Sequence, residues 1–368
     1  MNFVESRDKP VFCIGGAGHG GLAMAGHLSL QGFEVRIFNR SVERLLPIHL
    51  QGGVDVTGEV SGFAKIEIAT DQPEEALFGA DVIMIAVPAT GHRTMAEMLA
   101  PYLKTGQIVV LNPGRTFGAI EFYQVLRSLN NREDVIVAET QTFIYASRVT
   151  GPGQVKIFRI KNSVPLATLQ AYRIPACLQV IRKAYPQFVP GDNVFKTSFN
   201  NIGAIFHPAL IILNAGWIED QTEFEFYLQG ASPSVASILE KLDAERVAVA
   251  AALGIRGMTA REWLYFAYDA VGKTLRQAMR ANSGYGGILA PRQTEMRYIT
   301  EDVPCSLVPI SSIGRQLGVT TPIMDSLITL ASAMHGRDYY AEGRTTEKMG
   351  IDKLSLKQLR LMAIGELP

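Results

Sequence analysis

Gly16-Ala17-Gly18-His19-Gly20-Gly21 follows the apolar run 10–15 (PVFCIG) and opens a stretch with helical apolar spacing through Leu22, Ala25, Leu28 and Leu30. A strand that ends in glycines and turns into a helix is a place where backbone can touch a ligand. Gly16 permits the tight turn, Gly18 lets a pyrophosphate approach the main chain, and Gly21 allows close packing of helix on strand. The helix start adds free N–H groups and the positive end of its dipole. Ala17, His19 and Gly20 complete the contact surface. The chemistry predicted is the binding of a nicotinamide dinucleotide, with Pro88, at the end of a later strand, as a further contact.

Nucleotide choice is read at the end of the second strand, EVRIF (34–38). A carboxylate there would hold the adenosine ribose hydroxyls and select NAD. This chain carries Asn39, 21 residues after Gly18, and then Arg40. No acid stands there to repel a 2′-phosphate, and a guanidinium pairs with phosphate and stacks on adenine. Ser41 and Arg44 are placed to assist. The expectation is NADP, with NAD as the other admissible cofactor.

The second half of the chain offers His207, set in the apolar run AIFHPALIIL (204–213) and followed by Pro208. An imidazole accepts and donates protons near neutrality, and the proline removes a backbone hydrogen bond or starts a new helix beside it. A single histidine on an apolar helix also fits a satisfied core residue, and the residues alone leave both readings open. Arg297 and Asp302 lie in a polar segment before Pro304, where a surface salt bridge or a helix cap is the competing assignment.

The elements that must position these residues follow from periodicity. Strands are predicted at 10–15, 34–38, 64–69, 81–87, 108–111 and 135–138, with helical stretches at 92–103 and 117–130. This alternation predicts an α/β fold, an N-terminal Rossmann doubly wound parallel sheet. Residues 139–161 read as antiparallel strands appended to that sheet, turning at Gly151-Pro152-Gly153. A short helix is expected in PACLQVIRKAYP (175–186) and a linker at 189–193. Beyond it, long helices are predicted at 198–228, 234–253, 260–279 and 322–334, with a last one at 355–363 opened by Ser355. The expectation is two domains: 1–190 for the nucleotide and 191–368, all-helical, for substrate and catalysis. The substrate site is expected at the carboxyl ends of the parallel strands, in the cleft between them.

Together these motifs resemble a known family. GAGHGG, VPATGH (87–92), LNPG (111–114), AET-T--YASR (138–148), N-----HPALIILNAG--E (201–219), RYITEDVP--LVP (297–309) and GV-TP (318–322) look like the opine dehydrogenases, the octopine and nopaline enzymes of the 6-phosphogluconate-dehydrogenase-like superfamily. The resemblance runs from Gly15 to Gly343. It implies reductive condensation of an amino acid amine with an α-keto acid, at the expense of NAD(P)H. It also implies His207 as the catalytic histidine, Asp302 as its orienting carboxylate, Arg297 as a substrate-carboxylate anchor, and Thr142 as a contact to substrate or nicotinamide. Asn39 departs from several relatives, which are acidic there. Two alternatives stand beside this reading. One is a ketopantoate or glycerol-3-phosphate type of reductase, for which Lys273 would be the central acid. The other is a nonenzymatic NADP-sensing protein.

Composition narrows the partners. Lys+Arg and Asp+Glu are 35 each, giving no net charge and no electrostatic basis for bulk nucleic-acid binding. The chain is 47% hydrophobic and 19% charged, as a globular protein is. Three dispersed cysteines suit a reducing cytosol, the polar N-terminus lacks the apolar core of a signal peptide, and no histidine or cysteine spacing suggests a metal. Residues 197–218 are free of charge, but their asparagines and His207 favour a buried helix over a membrane span. The expected partners are small-molecule substrates, an amino acid and an α-keto acid, and a second copy of the chain in a dimer.

Overall fold

The computed structural model describes residues 8–366. Most of the N-terminal segment from which a leader was judged therefore lies outside the described residues. Twelve strands are found among the described residues: β1 (Phe12–Gly15), β2 (Val35–Phe38), β3 (Gly53–Gly58), β4 (Gly62–Lys65), β5 (Ile68–Thr70), β6 (Val82–Ile85), β7 (Ile108–Leu111), β8 (Ile136–Thr140), β9 (Tyr145–Gly151), β10 (Gln154–Ile160), β11 (Val164–Thr168) and β12 (Phe188–Pro190).

Eight of them form a sheet in the order β12-β11-β8-β7-β6-β1-β2-β5. All neighbours are parallel except β11 and β8. FCIG, VIMI, IVVL and IVAET are buried at every position, as strands covered on both faces must be. From β1 the chain builds outward through β2 and β5, then crosses back to β6 beside β1. This reversal puts the ligand-binding end of the sheet at the carboxyl ends of β1 and β6, where the glycine run lies. Helices His19–Leu30, His92–Leu99 and Gly118–Ser128 supply crossovers.

Two strand expectations are corrected. The run 64–69 is not one strand but two, in different sheets. The Ile66 N–H bonds Gly52 O at 3.3 Å, and the next N–H, of Glu67, bonds Val35 O at 3.1 Å, so the chain changes partners within one residue. The hairpin β9–β10 is not appended to the main sheet. It joins β3 and β4 in a second sheet of order β4-β3-β10-β9, in which β10 runs parallel to β3. Helix His19–Leu30 packs between the two sheets, which is why Gly21–Leu28 are buried in succession. Residues 189–193, expected as a linker, instead carry the end of β12, and the Gly191 N–H bonds Leu166 O at 2.8 Å.

The chain divides into two units: residues up to Thr197 together with the segment from Leu361, and Ser198–Arg360. The second is helical. Helices Pro233–Ala252 and Pro322–His335 match their prediction closely. The single helix expected over 198–228 is broken into the end of helix Val194–Phe199, helices Gly203–Leu213 and Ala215–Glu219, and an irregular segment. Asn214 ends helix Gly203–Leu213, donating from Nδ2 to Leu210 O at 2.8 Å and Gly230 O at 3.1 Å. The helix expected over 260–279 is likewise split, into Ala260–Tyr268 and Leu275–Ala281, because Asp269 takes a left-handed conformation with φ 53°. A buried ion pair anchors this unit. Arg246 donates from Nε to Asp243 Oδ1 at 3.0 Å and from Nη2 to Met258 O at 2.5 Å, while Asp243 Oδ2 accepts the Ala260 N–H at 2.7 Å. Among the described residues no helix is long and apolar enough to cross a membrane.

Candidate active site

The glycine loop has the conformation its sequence demands. Gly16 sits at φ 118°, and its N–H bonds Phe38 O at 2.8 Å. A Cβ on Gly21 would lie 1.7 Å from Gly16 O, so the turn closes only on a glycine. No side chain caps the helix start at Gly18, and a Cβ there would meet nothing nearer than Arg44 Nη1 at 3.7 Å. Uncapped N–H groups beside a guanidinium are the donor set a dinucleotide pyrophosphate requires. These residues fit the cofactor.

Around this cradle the predicted contacts take distinct places. Asn39 is buried and turned inward: its Oδ1 accepts the Ala17 N–H at 2.9 Å, and its Nδ2 donates to Ser41 O at 2.9 Å. It therefore ties the loop to the end of β2, and the Ala17 N–H is already used. His19 points to the second sheet, where Nδ1 accepts the Val149 N–H at 2.9 Å. Gly20 faces the Phe143 ring. Arg40 is exposed just beyond β2, and exposed Pro88 opens a short turn in which its carbonyl accepts the Gly91 N–H at 2.8 Å. Thr142 accepts a hydrogen bond from Lys161 Nζ at 2.9 Å.

Two motifs are joined by a buried carboxylate. Glu139 accepts the Ala119 N–H on Oε2 at 2.9 Å, at the start of helix Gly118–Ser128, and the Thr197 hydroxyl on Oε1 at 2.7 Å. A Cβ on Gly114 would stand 2.4 Å from Glu139 Oε2, so LNPG and AET depend on each other sterically.

In the second unit His207 is the polar residue of an otherwise apolar helix, Gly203–Leu213. Pro208 sits inside that helix without ending it and leaves the Ala204 carbonyl without its usual donor. Asp302 lies 95 residues on, at the entry to a π-helical turn, Val303–Leu307. The fold brings them together: His207 Nδ1 stands 2.8 Å from Asp302 Oδ2, with side-chain exposures of 17% and 1%. A carboxylate only accepts, so Nδ1 carries the proton and Nε2 holds the ring's lone pair.

Arg297 is placed differently. Its Nε and Nη2 both bond Oε2 of buried Glu301, at 2.7 and 2.6 Å, while 61% of its side chain stays exposed. Lys273 lies exposed in the turn before helix Leu275–Ala281, where its N–H bonds Gln277 Oε1 at 2.9 Å.

Two residues beside His207 were not singled out by sequence reasoning. Tyr298 stacks on the imidazole, centroids 4.0 Å apart and planes at 11°. The Tyr227 hydroxyl lies 3.1 Å from Nε2. Burial, with the neighbouring Tyr298 and Tyr285 phenols, raises the Tyr227 hydroxyl well above the usual tyrosine range. Tyr298 was adjacent to Arg297 in RYITEDVP, and the alternation in EFEFY (223–227) was a signal for extended rather than helical backbone.

Comparison with known proteins identifies the family. Residues 190–335 match the family described as NAD/NADP octopine/nopaline dehydrogenase, alpha-helical domain, and residues 11–117 match the NAD binding domain of 6-phosphogluconate dehydrogenase. The chain is 36% identical to an opine dehydrogenase of Arthrobacter sp. (strain 1C), covering 96% of this chain and 98% of that one. It shares its fold with octopine dehydrogenase solved with NADH and L-arginine (TM-score 0.83, 21% identity, 98% and 99% of the chains covered). It also shares it with yersinopine dehydrogenase solved with NADP+ (TM-score 0.77, 17% identity, 95% and 99% covered). By relationship along nearly its whole length, the protein belongs to the opine dehydrogenase family and is an NAD(P)-dependent oxidoreductase of that class.

Proposed function

We propose that His207 and Asp302 are the acid–base pair of this enzyme and that NADPH is its preferred reductant. The reaction class is the family's: reductive condensation of an amino acid amine with an α-keto acid. The observation that carries the assignment is the 2.8 Å contact between His207 Nδ1 and a buried carboxylate, which leaves Nε2 to exchange protons. Nε2 takes the proton that the attacking amine must lose and returns it to the carbinolamine hydroxyl, which departs as water. Asp302 holds the tautomer and stabilises the imidazolium between these events. The reduced nicotinamide, when bound, supplies hydride to the imine carbon.

Arg297 is assigned to one substrate carboxylate; Glu301 orients its guanidinium and partly neutralises it. Thr142 is assigned to contact with substrate or nicotinamide. The preference for NADPH rests on Arg40 beyond β2 and on the absence of an acid at Asn39, whose carboxamide is engaged with backbone. The test is a matrix of amino acids against α-keto acids, following NADPH and NADH oxidation. Oxidation that requires both substrates and runs faster with NADPH is the expected result. Oxidation with a keto acid alone would point to the ketopantoate type of reductase. Nucleotide binding without turnover on any pair would favour a sensing protein.

A further inference from the structure

Tyr227 stands outside every motif that led to the site, yet its hydroxyl occupies the one imidazole nitrogen left to do chemistry. We propose that Tyr227 is the positioning residue that holds His207 in its neutral form with Nε2 as acceptor, and so sets the pH at which the histidine becomes a competent base. This deepens, and rests on, the reading of His207 as the acid–base group.

The geometry supplies the argument. Tyr298 covers one face of the imidazole at 4.0 Å, and Asp302 fixes Nδ1 at 2.8 Å, so the direction of Nε2 is determined. Tyr227 lies along it at 3.1 Å. The phenol cannot swing freely, because it stacks on Tyr285 at 4.3 Å and 16° and takes the Phe226 ring edge-on at 5.0 Å. Burial and the Tyr298 and Tyr285 phenols keep it protonated at neutral pH. Its two hydrogen-bonding neighbours are Nε2 and the Tyr298 hydroxyl, so it is a donor shared between the imidazole and the ring stacked upon it. A donor to Nε2 stabilises the neutral imidazole, whereas Asp302 at Nδ1 stabilises the imidazolium. The two partners pull the same equilibrium in opposite directions.

Among the other titratable groups of the surrounding elements, Tyr298 faces both partners, stacked on the imidazole and hydrogen-bonded to the Tyr227 hydroxyl; the following are engaged elsewhere. Glu301 pairs with Arg297 on the segment that carries Tyr298. Asp243 pairs with Arg246 on helix Pro233–Ala252. On helix Pro322–His335, Asp325 pairs with Arg315 and His335 Nδ1 meets the Tyr339 hydroxyl. Tyr285 faces Tyr227 rather than the imidazole.

The test is the pH dependence of kcat/KM in the direction of product oxidation, where His207 must begin unprotonated. Tyr227→Phe keeps the ring and its stack while removing the donor. We expect its acidic limb to move upward by roughly half to one pH unit, the equivalent of one neutral hydrogen bond, with NADPH affinity unchanged. Tyr227→Met fills the space without a hydroxyl and is expected to move the limb the same way. Titration of the His207 resonance by histidine-selective NMR, identified by its loss in His207→Gln, reads the shift independently of turnover. An unmoved limb and an unmoved resonance would overturn the proposal for Tyr227. Normal turnover in His207→Gln would instead overturn the reading of His207 itself.

Discussion

The arginines and histidines of this chain are told apart by what their neighbours leave them to do. Arg40 is exposed beyond β2, where a 2′-phosphate is expected, whereas Arg44 Nη1 stands over Gly18, where the pyrophosphate common to both nucleotides is expected. Arg40→Ala should therefore weaken NADPH by roughly 10–150-fold, the span of one charge-assisted contact, and leave NADH nearly unchanged. Arg44→Ala should weaken both. Fluorescence titration with each nucleotide checks this, and equal losses for both in Arg40→Ala would refute the assignment. His27 has a structural job instead. Its Nδ1 meets the Tyr145 hydroxyl at 2.8 Å, which donates on to Tyr185 at 3.0 Å, and its Nε2 meets the Gln31 amide at 2.8 Å. Burial holds its pKa below the usual histidine value, against a smaller opposing pull from Glu59. The unfolded chain binds that proton more readily, so this contribution to stability is present above about pH 6.5 and is lost as pH falls below it. Thermal unfolding midpoints should drop between about pH 7.5 and about pH 5.5, and His27→Gln should flatten part of that slope. A variant with the full wild-type slope would show that His27 does not report this burial.

At the scale of elements, the glycine loop makes a sharp distinction between adjacent residues. A Cβ on Gly21 would strike the Gly16 carbonyl at 1.7 Å, which cannot yield without opening the turn, whereas one on Gly20 would meet the far end of the Phe143 side chain at 2.5 Å, which can shift without moving backbone. Gly21→Ala should abolish nucleotide binding and Gly20→Ala should retain it within about tenfold. Similar losses in both variants would contradict this account of the turn. Such a loop was legible in the sequence because its constraint is local: three glycines, a strand before and a helix after. The buried strands VIMI and IVVL were legible for the same reason. The run 64–69 was misread because alternation reports a strand but not its partner, and here the partner changes between Ile66 and Glu67. The helix expected at 198–228 is interrupted after Phe199 and again at Asn214, whose side chain competes for the backbone in a way that apolar periodicity does not register. Asn39 was placed correctly at the end of β2, but its inward bond to Ala17 depends on where the loop folds back. Tyr227 was out of reach because 20 residues of broken helix separate it from the nitrogen it meets.

At the scale of the whole molecule the glycine loop belongs to the first unit, and His207 with Asp302, the proposed acid–base pair, to the second. Nucleotide binding and acid–base chemistry should consequently be separable by mutation. General acid–base catalysis contributes roughly 10²–10⁴-fold, so a single substitution in the second unit should remove that factor while the first still binds cofactor. The direct measurement is steady-state NADPH oxidation by His207→Gln with the best amino acid and α-keto acid pair, beside the NADPH dissociation constant of the same preparation. Turnover should fall by about 10²–10⁴-fold with an unchanged dissociation constant. Turnover within a few-fold of wild type would contradict the assignment of His207.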